Sequence, residues 1–179
     1  IHYLRKGAFW DFEVPGPNNY ELAGCWSHNS GKTTACSFEV ARAARGEHPH
    51  YGKKPLDIYI VVAKEDHIGR VIYDKLFRAS SDTFIIKDEI TGNWRVYVPD
   101  TDAHRKKERK PYPPLIPPRL IDGRPSWYKK GSRAFHVIRL KPLDPSWSRG
   151  TEIWAFSGVG SAPQGQGVDL VWIDEDLRD

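Results

Sequence analysis

The sequence predicts an α/β domain with a mainly parallel central sheet. Short apolar runs twice precede a segment with helical spacing, and further apolar runs follow toward the end of the chain. With 179 residues, 39% of them hydrophobic and 28% charged, the chain fits one globular domain over residues 1–179. We find no internal repeat, so a solenoid or propeller is not expected.

The predicted elements alternate along the first half of the chain. Residues 20–26 form a short buried strand that runs into a polar turn, and residues 32–45 form a helix that Gly46 ends. Residues 57–63 and 66–78 form a second strand and helix. The other predicted strands are a pair within residues 83–99 around the turn at 91–93, and the runs 135–140, 151–156 and 168–173, the last fully buried.

A basic, proline-rich stretch separates the two halves of this pattern. Between His104 and Arg133, ten Lys or Arg residues stand against Glu108 and Asp122, which leaves eight net positive charges in a chain of net charge +4. Prolines at 111, 113, 114, 117 and 118 exclude a continuous helix or a central strand. We expect an insertion at about residues 100–133, and both a solvated charge run and a polyanion contact explain its charge.

The segment Ser30, Gly31, Lys32, Thr33 lies between a predicted strand and a predicted helix, which is the context of a phosphate-binding loop. Backbone N–H groups at the start of the helix would surround phosphates. Lys32 would contact the β- and γ-phosphates, and the Thr33 hydroxyl would hold Mg²⁺. The candidate nucleotide-binding residues are Ser27, His28, Asn29, Ser30, Gly31, Lys32, Thr33 and Thr34.

The predicted final strand ends in Asp174, Glu175 and Asp176. A P-loop ATPase needs an Asp that orients hydrated Mg²⁺, and the hydrolytic branch adds a Glu that activates water. Asp174 and Glu175 supply both in that order, although an ordinary solvated acidic turn after a core strand would have the same sequence pattern. The two motifs together predict a three-layer P-loop NTPase of the RecA-like (ASCE) type that uses ATP and Mg²⁺, with Glu175 and Lys32 as catalytic residues.

Three segments carry a resemblance to one family. They are GKTTACSFEVARAARGEHP, DIYIVVAKEDHIGRVIYDKL and FSGVGSAPQGQGVDLVWIDED. Over roughly residues 20–179 the chain resembles the ATPase domain of the large terminase subunit, the DNA-packaging motor of tailed bacteriophages. That family continues into a coupling motif and a nuclease domain, so we expect the chain to be a fragment without nuclease activity.

The resemblance implies a function and a set of partners. The domain would hydrolyse ATP to move double-stranded viral DNA into a procapsid, as part of a homo-oligomeric ring on a portal protein, together with the small terminase subunit. It would act in the cytoplasm of the infected bacterium and would not be retained in the virion. DNA contacts would come from the basic insertion, at Arg105, Lys106, Lys107, Arg109, Lys110, Lys129 and Lys130, interleaved with Tyr112, Trp127 and Tyr128.

Two other functions stay open on the sequence. One is a nucleic-acid helicase or translocase of another P-loop branch, and the other is a nucleotide-binding regulatory module without turnover. Only two cysteines occur, Cys25 and Cys36, which favours a reducing compartment over a disulfide framework. No apolar run approaches the roughly 20 residues of a membrane-spanning helix, so no membrane partner is expected.

Overall fold

The computed structural model describes residues 19–22, 25–81, 83–129, 131–158 and 167–174, with the backbone alone for residues 19–32. These residues form a mixed α/β fold. Its strands make a five-stranded mixed sheet, a three-stranded antiparallel sheet and a two-stranded hairpin.

The described chain begins with strands β1 (Asn19–Leu22) and β2 (Cys25–His28), which pair antiparallel and lead into helix α1 (Asn29–Ala44). The prediction of one strand over residues 20–26 is therefore wrong, and so is the polar turn before the helix, because α1 starts directly after β2. Two four-residue strands satisfy each other's backbone groups locally, and an apolar run alone does not distinguish them from one longer strand. Gly46 has a φ of 67°, which confirms it as the helix stop.

Strand β3 (Asp57–Val62) precedes a helical segment that covers residues 65–77. This segment consists of α2 (Glu65–His67), a π-helical turn (Ile68–Ile72) and α3 (Tyr73–Phe77). The second predicted strand and helix are thus confirmed to within one residue. The π-turn adds a residue to one turn of the helix, and periodicity does not predict it.

Strands β4 (Phe84–Lys87) and β5 (Trp94–Val96) form the predicted pair, with Gly92 at a φ of 69° in the turn between them. The basic stretch then contributes one strand to the three-stranded sheet and one to the five-stranded sheet. α4 (Pro99–Asp102) comes directly before it, and the stretch itself holds β6 (Lys110–Pro111), which pairs with β4, and β7 (Ser126–Trp127). Both β6 and β7 are edge strands, where the proline-rich sequence is tolerated.

The larger sheet has the order β10, β3, β9, β8, β7, where β8 is Phe135–Arg139, β9 is Glu152–Ser157 and β10 is Leu170–Asp174. β3 pairs parallel with β10 and β9, whereas β8 pairs antiparallel with β9 and β7. The sheet is therefore mixed rather than mainly parallel. The connection between β8 and β9, residues 140–151, contains no helix, whereas the crossover between parallel strands is usually helical.

The core lies between one face of this sheet and the helices. Ile58, Ile60, Ile153 and Ile138 are fully buried on the strands and pack with Val40 and other α1 residues. The prediction of a fully buried final strand is wrong for β10. Trp172 and Asp174 are buried, but Val171 and Ile173 are 48% and 60% exposed, because β10 is an edge strand and successive side chains alternate between faces.

Candidate functional site

Thr33 and Asp174, which are 141 positions apart in the sequence, meet in the structure. The Thr33 hydroxyl Oγ1 donates a hydrogen bond to the Asp174 carboxylate and lies 3.0 Å from Oδ1 and 3.1 Å from Oδ2. Both residues are buried, with 8% and 5% of their surface exposed. A buried carboxylate is rare unless it is paired, so this contact is a specific feature of the fold.

The elements that carry these residues explain the contact. Thr33 lies in the first turns of α1, and Asp174 is the last residue of β10. Trp172 and Asp174 point to the same face of β10, toward the core that α1 helps to form. One turn further along α1, the buried Ser37 hydroxyl has a hydrogen-bond partner as well, because it donates to the Thr33 carbonyl at 2.7 Å.

His67 is the third side chain at this carboxylate. Its Nε2 lies 2.8 Å from Asp174 Oδ2, and 17% of the His67 side chain is exposed. α2 follows β3, and β3 is the parallel neighbour of β10, so the carboxyl ends of the two strands lie side by side. Sequence reasoning missed His67. The available signal was its place just after a parallel strand, where open α/β sheets build their sites.

Thr34 and Cys36, both on α1, border the site. Lys75 Nζ donates to Thr34 Oγ1 at 2.9 Å, which brings a cation from α3 to the residue after Thr33. Burial raises the pKa of the Cys36 thiol, and the negative charges of Asp174 and Glu39 raise it further. Cys36 therefore stays protonated at neutral pH and adds no charge to the site.

The remaining predicted nucleotide-binding residues lie along one continuous segment. Ser27 and His28 are in β2, and Asn29, Ser30, Gly31 and Lys32 form the first turn of α1. The first four N–H groups of an α-helix have no partner within the helix, and the helix dipole favours an anion there. The start of α1, directly before Thr33, is therefore a position where backbone N–H groups and the helix dipole would favour an anion. The Lys32 side chain and Glu175 lie outside what the structure describes.

The donor atoms at the site suit Mg²⁺. A hydroxyl and a carboxylate are the hard oxygen ligands that this ion prefers, and Mg²⁺ commonly keeps several waters and takes one or two protein ligands together with substrate phosphates. A cage of protein side chains is not needed for such binding. In the described ranges, no group of three or more His, Cys, Asp or Glu is arranged to hold a metal by itself.

The candidate DNA-binding cations divide into three kinds. Arg105 is 8% exposed, and its guanidinium donates to Glu108 at 2.6 Å and to the Lys87 carbonyl at 2.9 Å. Arg109 is half-buried and lies over the Phe84 ring, 4.0 Å from its centroid. Three cations on this side, Lys106, Lys107 and Lys110, are exposed.

Lys129 lies apart from these cations. It is 77% exposed and 3.7 Å from the Glu65 carboxylate, whereas Lys130 lies outside the described residues.

The aromatic residues predicted to stack on DNA are partly buried. Trp127 packs against Tyr73, Tyr112 packs against Phe38, and the Tyr128 hydroxyl donates to the Ala155 carbonyl at 2.7 Å. Trp94, which the sequence did not single out, is 50% exposed, and Lys110 Nζ lies 5.2 Å from its ring centroid. Trp94 is therefore an exposed aromatic residue beside the basic stretch in the part of the chain that the structure describes.

No protein-family model matches the chain, and neither a curated protein nor a solved structure is significantly similar to it. Among the described residues, the helices are all too short or too polar to cross a membrane.

Proposed function

We propose that this chain is a P-loop NTPase domain of three-layer, RecA-like architecture that hydrolyses ATP and powers the translocation of double-stranded viral DNA into a procapsid. The observation that carries the proposal is the buried hydrogen bond from Thr33 to Asp174. A hydroxyl that follows Gly-Lys at a helix start and a carboxylate at the end of a sheet strand are the two Mg²⁺-holding groups of P-loop ATPases.

The proposed roles of the residues follow from their chemistry. Lys32 and the N–H groups at the start of α1 bind the β- and γ-phosphates, and Thr33 and Asp174 hold the Mg²⁺. A hydroxyl has one hydrogen and two lone pairs, so Thr33 donates to Asp174 and offers a lone pair to a cation at the same time. Mg²⁺, when bound, neutralises charge that develops on the phosphate oxygens. Glu175, next to Asp174, accepts a proton from the attacking water.

The DNA-packaging part of the proposal rests on the resemblance to the large terminase subunit and on the exposed cations of the basic stretch. A motor that moves DNA grips the backbone without reading its sequence, and Lys side chains supply such contacts. In this proposal the domain works in a ring on a portal protein, with the small terminase subunit, in the cytoplasm of the infected bacterium. Lys106, Lys107 and Lys110 are the cations that we place at the DNA.

ATP binding and steady-state ATP hydrolysis test the proposal, with the wild-type chain, Lys32→Ala and Glu175→Gln measured with and without double-stranded DNA at low salt. We expect Lys32→Ala to lose ATP binding, because the phosphates lose their cation. Glu175→Gln keeps ATP binding and loses turnover, because the amide accepts no proton. Normal hydrolysis by Glu175→Gln would refute the assigned base, and ATP binding without turnover in the wild type would favour a regulatory module.

DNA binding measured over a series of salt concentrations tests the DNA contact. Replacing Lys106 and Lys107 with Ala should weaken DNA binding and lower the slope of log affinity against log salt by roughly 0.9 per lost phosphate contact. Lys53 and Lys141 are also exposed and serve as the matched double-Ala control. An equal loss of DNA binding in both double variants would mean that the surface contacts DNA without the preferred face that we propose.

A further inference from the structure

We propose that His67 is a positioning residue for the Asp174 carboxylate and so sets the Mg²⁺ affinity of the site; this inference rests on the proposed function. His67 reaches Asp174 from a different element than Thr33 does. Thr33 belongs to α1, Asp174 to β10, and His67 to α2, which follows the strand that pairs with β10.

Thr33 alone does not fix the rotation of the carboxylate. Its single hydroxyl hydrogen faces two oxygens at nearly equal distances, 3.0 Å to Oδ1 and 3.1 Å to Oδ2. His67 breaks this symmetry, because its Nε2 lies 2.8 Å from Oδ2. With Oδ2 held by the imidazole, the Thr33 hydrogen is directed to Oδ1, and the carboxylate has one defined orientation.

The direction of this hydrogen bond follows from the partners. An ionised carboxylate only accepts hydrogen bonds, so Nε2 of His67 carries the hydrogen. Only 17% of the His67 side chain and 6% of the Asp174 side chain are exposed, so little water competes for the contact. Carboxylates that hold metals are commonly oriented by such hydrogen bonds, and removing the partner typically costs about 10- to 100-fold in metal affinity or activity.

The test measures how much Mg²⁺ is needed for half-maximal binding of a fluorescent ATP analogue, alongside analogue binding without Mg²⁺ and the melting temperature. Wild type is compared with His67→Leu, which removes the N–H donor, and with His67→Gln, which keeps one. We expect His67→Leu to raise the Mg²⁺ requirement about 10- to 100-fold and to leave binding without Mg²⁺ unchanged. His67→Gln should recover most of the loss, a rescue that a purely structural role would not give.

His48 provides a matched control. Its Nε2 also faces a carboxylate, Glu39 Oε2 at 3.1 Å, and 13% of its side chain is exposed, but Glu39 is exposed and is not part of the proposed metal site. His48→Leu should therefore leave the Mg²⁺ requirement at the wild-type value.

The outcomes separate this inference from the proposed function. If wild type binds the analogue with Mg²⁺ and His67→Leu needs the same Mg²⁺ concentration, the positioning role is wrong and the proposed function stands. If wild type does not bind the analogue with Mg²⁺, the proposed function itself fails. If His67→Leu does not fold, His67→Asn takes its place, because its shorter amide does not reach Asp174, and a wild-type Mg²⁺ requirement in that variant overturns the inference.

Discussion

Arg95 and Asp102 form a bidentate ion pair directly before the basic stretch. The Arg95 guanidinium donates two hydrogen bonds of 2.6 Å to the Asp102 carboxylate, and the Val98 amide donates a third at 2.9 Å. The Arg95 hydrogen bonds, followed by that of Val98, hold the pKa of Asp102 well below its usual range. This bidentate pair ties β5 to α4, directly before the basic stretch, and keeps the Asp102 carboxylate buried.

The depressed pKa of Asp102 predicts a pH dependence of stability. A carboxyl with a lowered pKa in the folded state stabilises the fold above its unfolded pKa of about 3.9, and this contribution is lost as the pH falls through the folded pKa. We expect Asp102→Asn to be less stable than wild type at pH 7. Below about pH 4 the free energy of unfolding of the variant should fall less steeply than that of wild type.

Denaturant unfolding at a series of pH values measures both effects, and Asp100→Asn is the control because Asp100 is exposed. Parallel pH profiles for wild type and Asp102→Asn would show that the carboxylate contributes nothing to acid sensitivity.

Among the helical elements, the π-turn contains a close backbone approach at Gly69. A Cβ atom on Gly69 would lie 2.9 Å from the Ala134 amide nitrogen and 3.1 Å from the Arg133 carbonyl carbon. Both atoms are backbone, so the clash has no flexible side chain to relieve it. Gly69 therefore lets the helical segment that delivers His67 pack against the chain just before β8.

Gly69→Ala should destabilise the protein by about 1–3 kcal/mol, because overpacking forces the backbone to shift. At an unhindered site, a Gly→Ala substitution usually raises the free energy of unfolding by about 0.4–1 kcal/mol. A lower free energy of unfolding for Gly69→Ala would therefore indicate the clash. Thermal or denaturant unfolding measures the change. Gly167→Ala, where a Cβ meets nothing within 4 Å, is the control and should be neutral or slightly stabilising. A stabilised Gly69→Ala variant would contradict the packing that we describe.

The elements also show which parts of the fold were predictable. Residues 57–63 and 66–78 were predicted correctly because periodicity and propensity act locally, and β4 and β5 carry their own turn. The β1–β2 hairpin, the antiparallel placement of β8 and the half-exposed β10 were missed, because each depends on which strand lies beside which. Likewise, sequence motifs identify Thr33 and Asp174. His67 belongs to no such motif, and its place just after β3 indicates a site residue only once β3 is known to pair with β10.

At the scale of the whole molecule, the proposed function involves two surfaces of the described chain. One is the edge of the larger sheet where Thr33, His67 and Asp174 meet, and the other is the basic stretch around Lys106, Lys107 and Lys110. The charge bias in the sequence indicated the second surface but did not separate its exposed lysines from Arg105, whose guanidinium is engaged inside the fold.

The central claim is that Thr33 and Asp174 form the Mg²⁺-holding pair of an ATP site. The most direct test is ATP binding by titration calorimetry, with and without Mg²⁺, for wild type and Thr33→Val, which keeps the shape of the side chain and removes its hydroxyl. We predict that Mg²⁺ strengthens ATP binding by the wild type and that Thr33→Val loses this strengthening while its binding without Mg²⁺ is unchanged. Equal strengthening by Mg²⁺ in both proteins, or no ATP binding by the wild type, would contradict the claim.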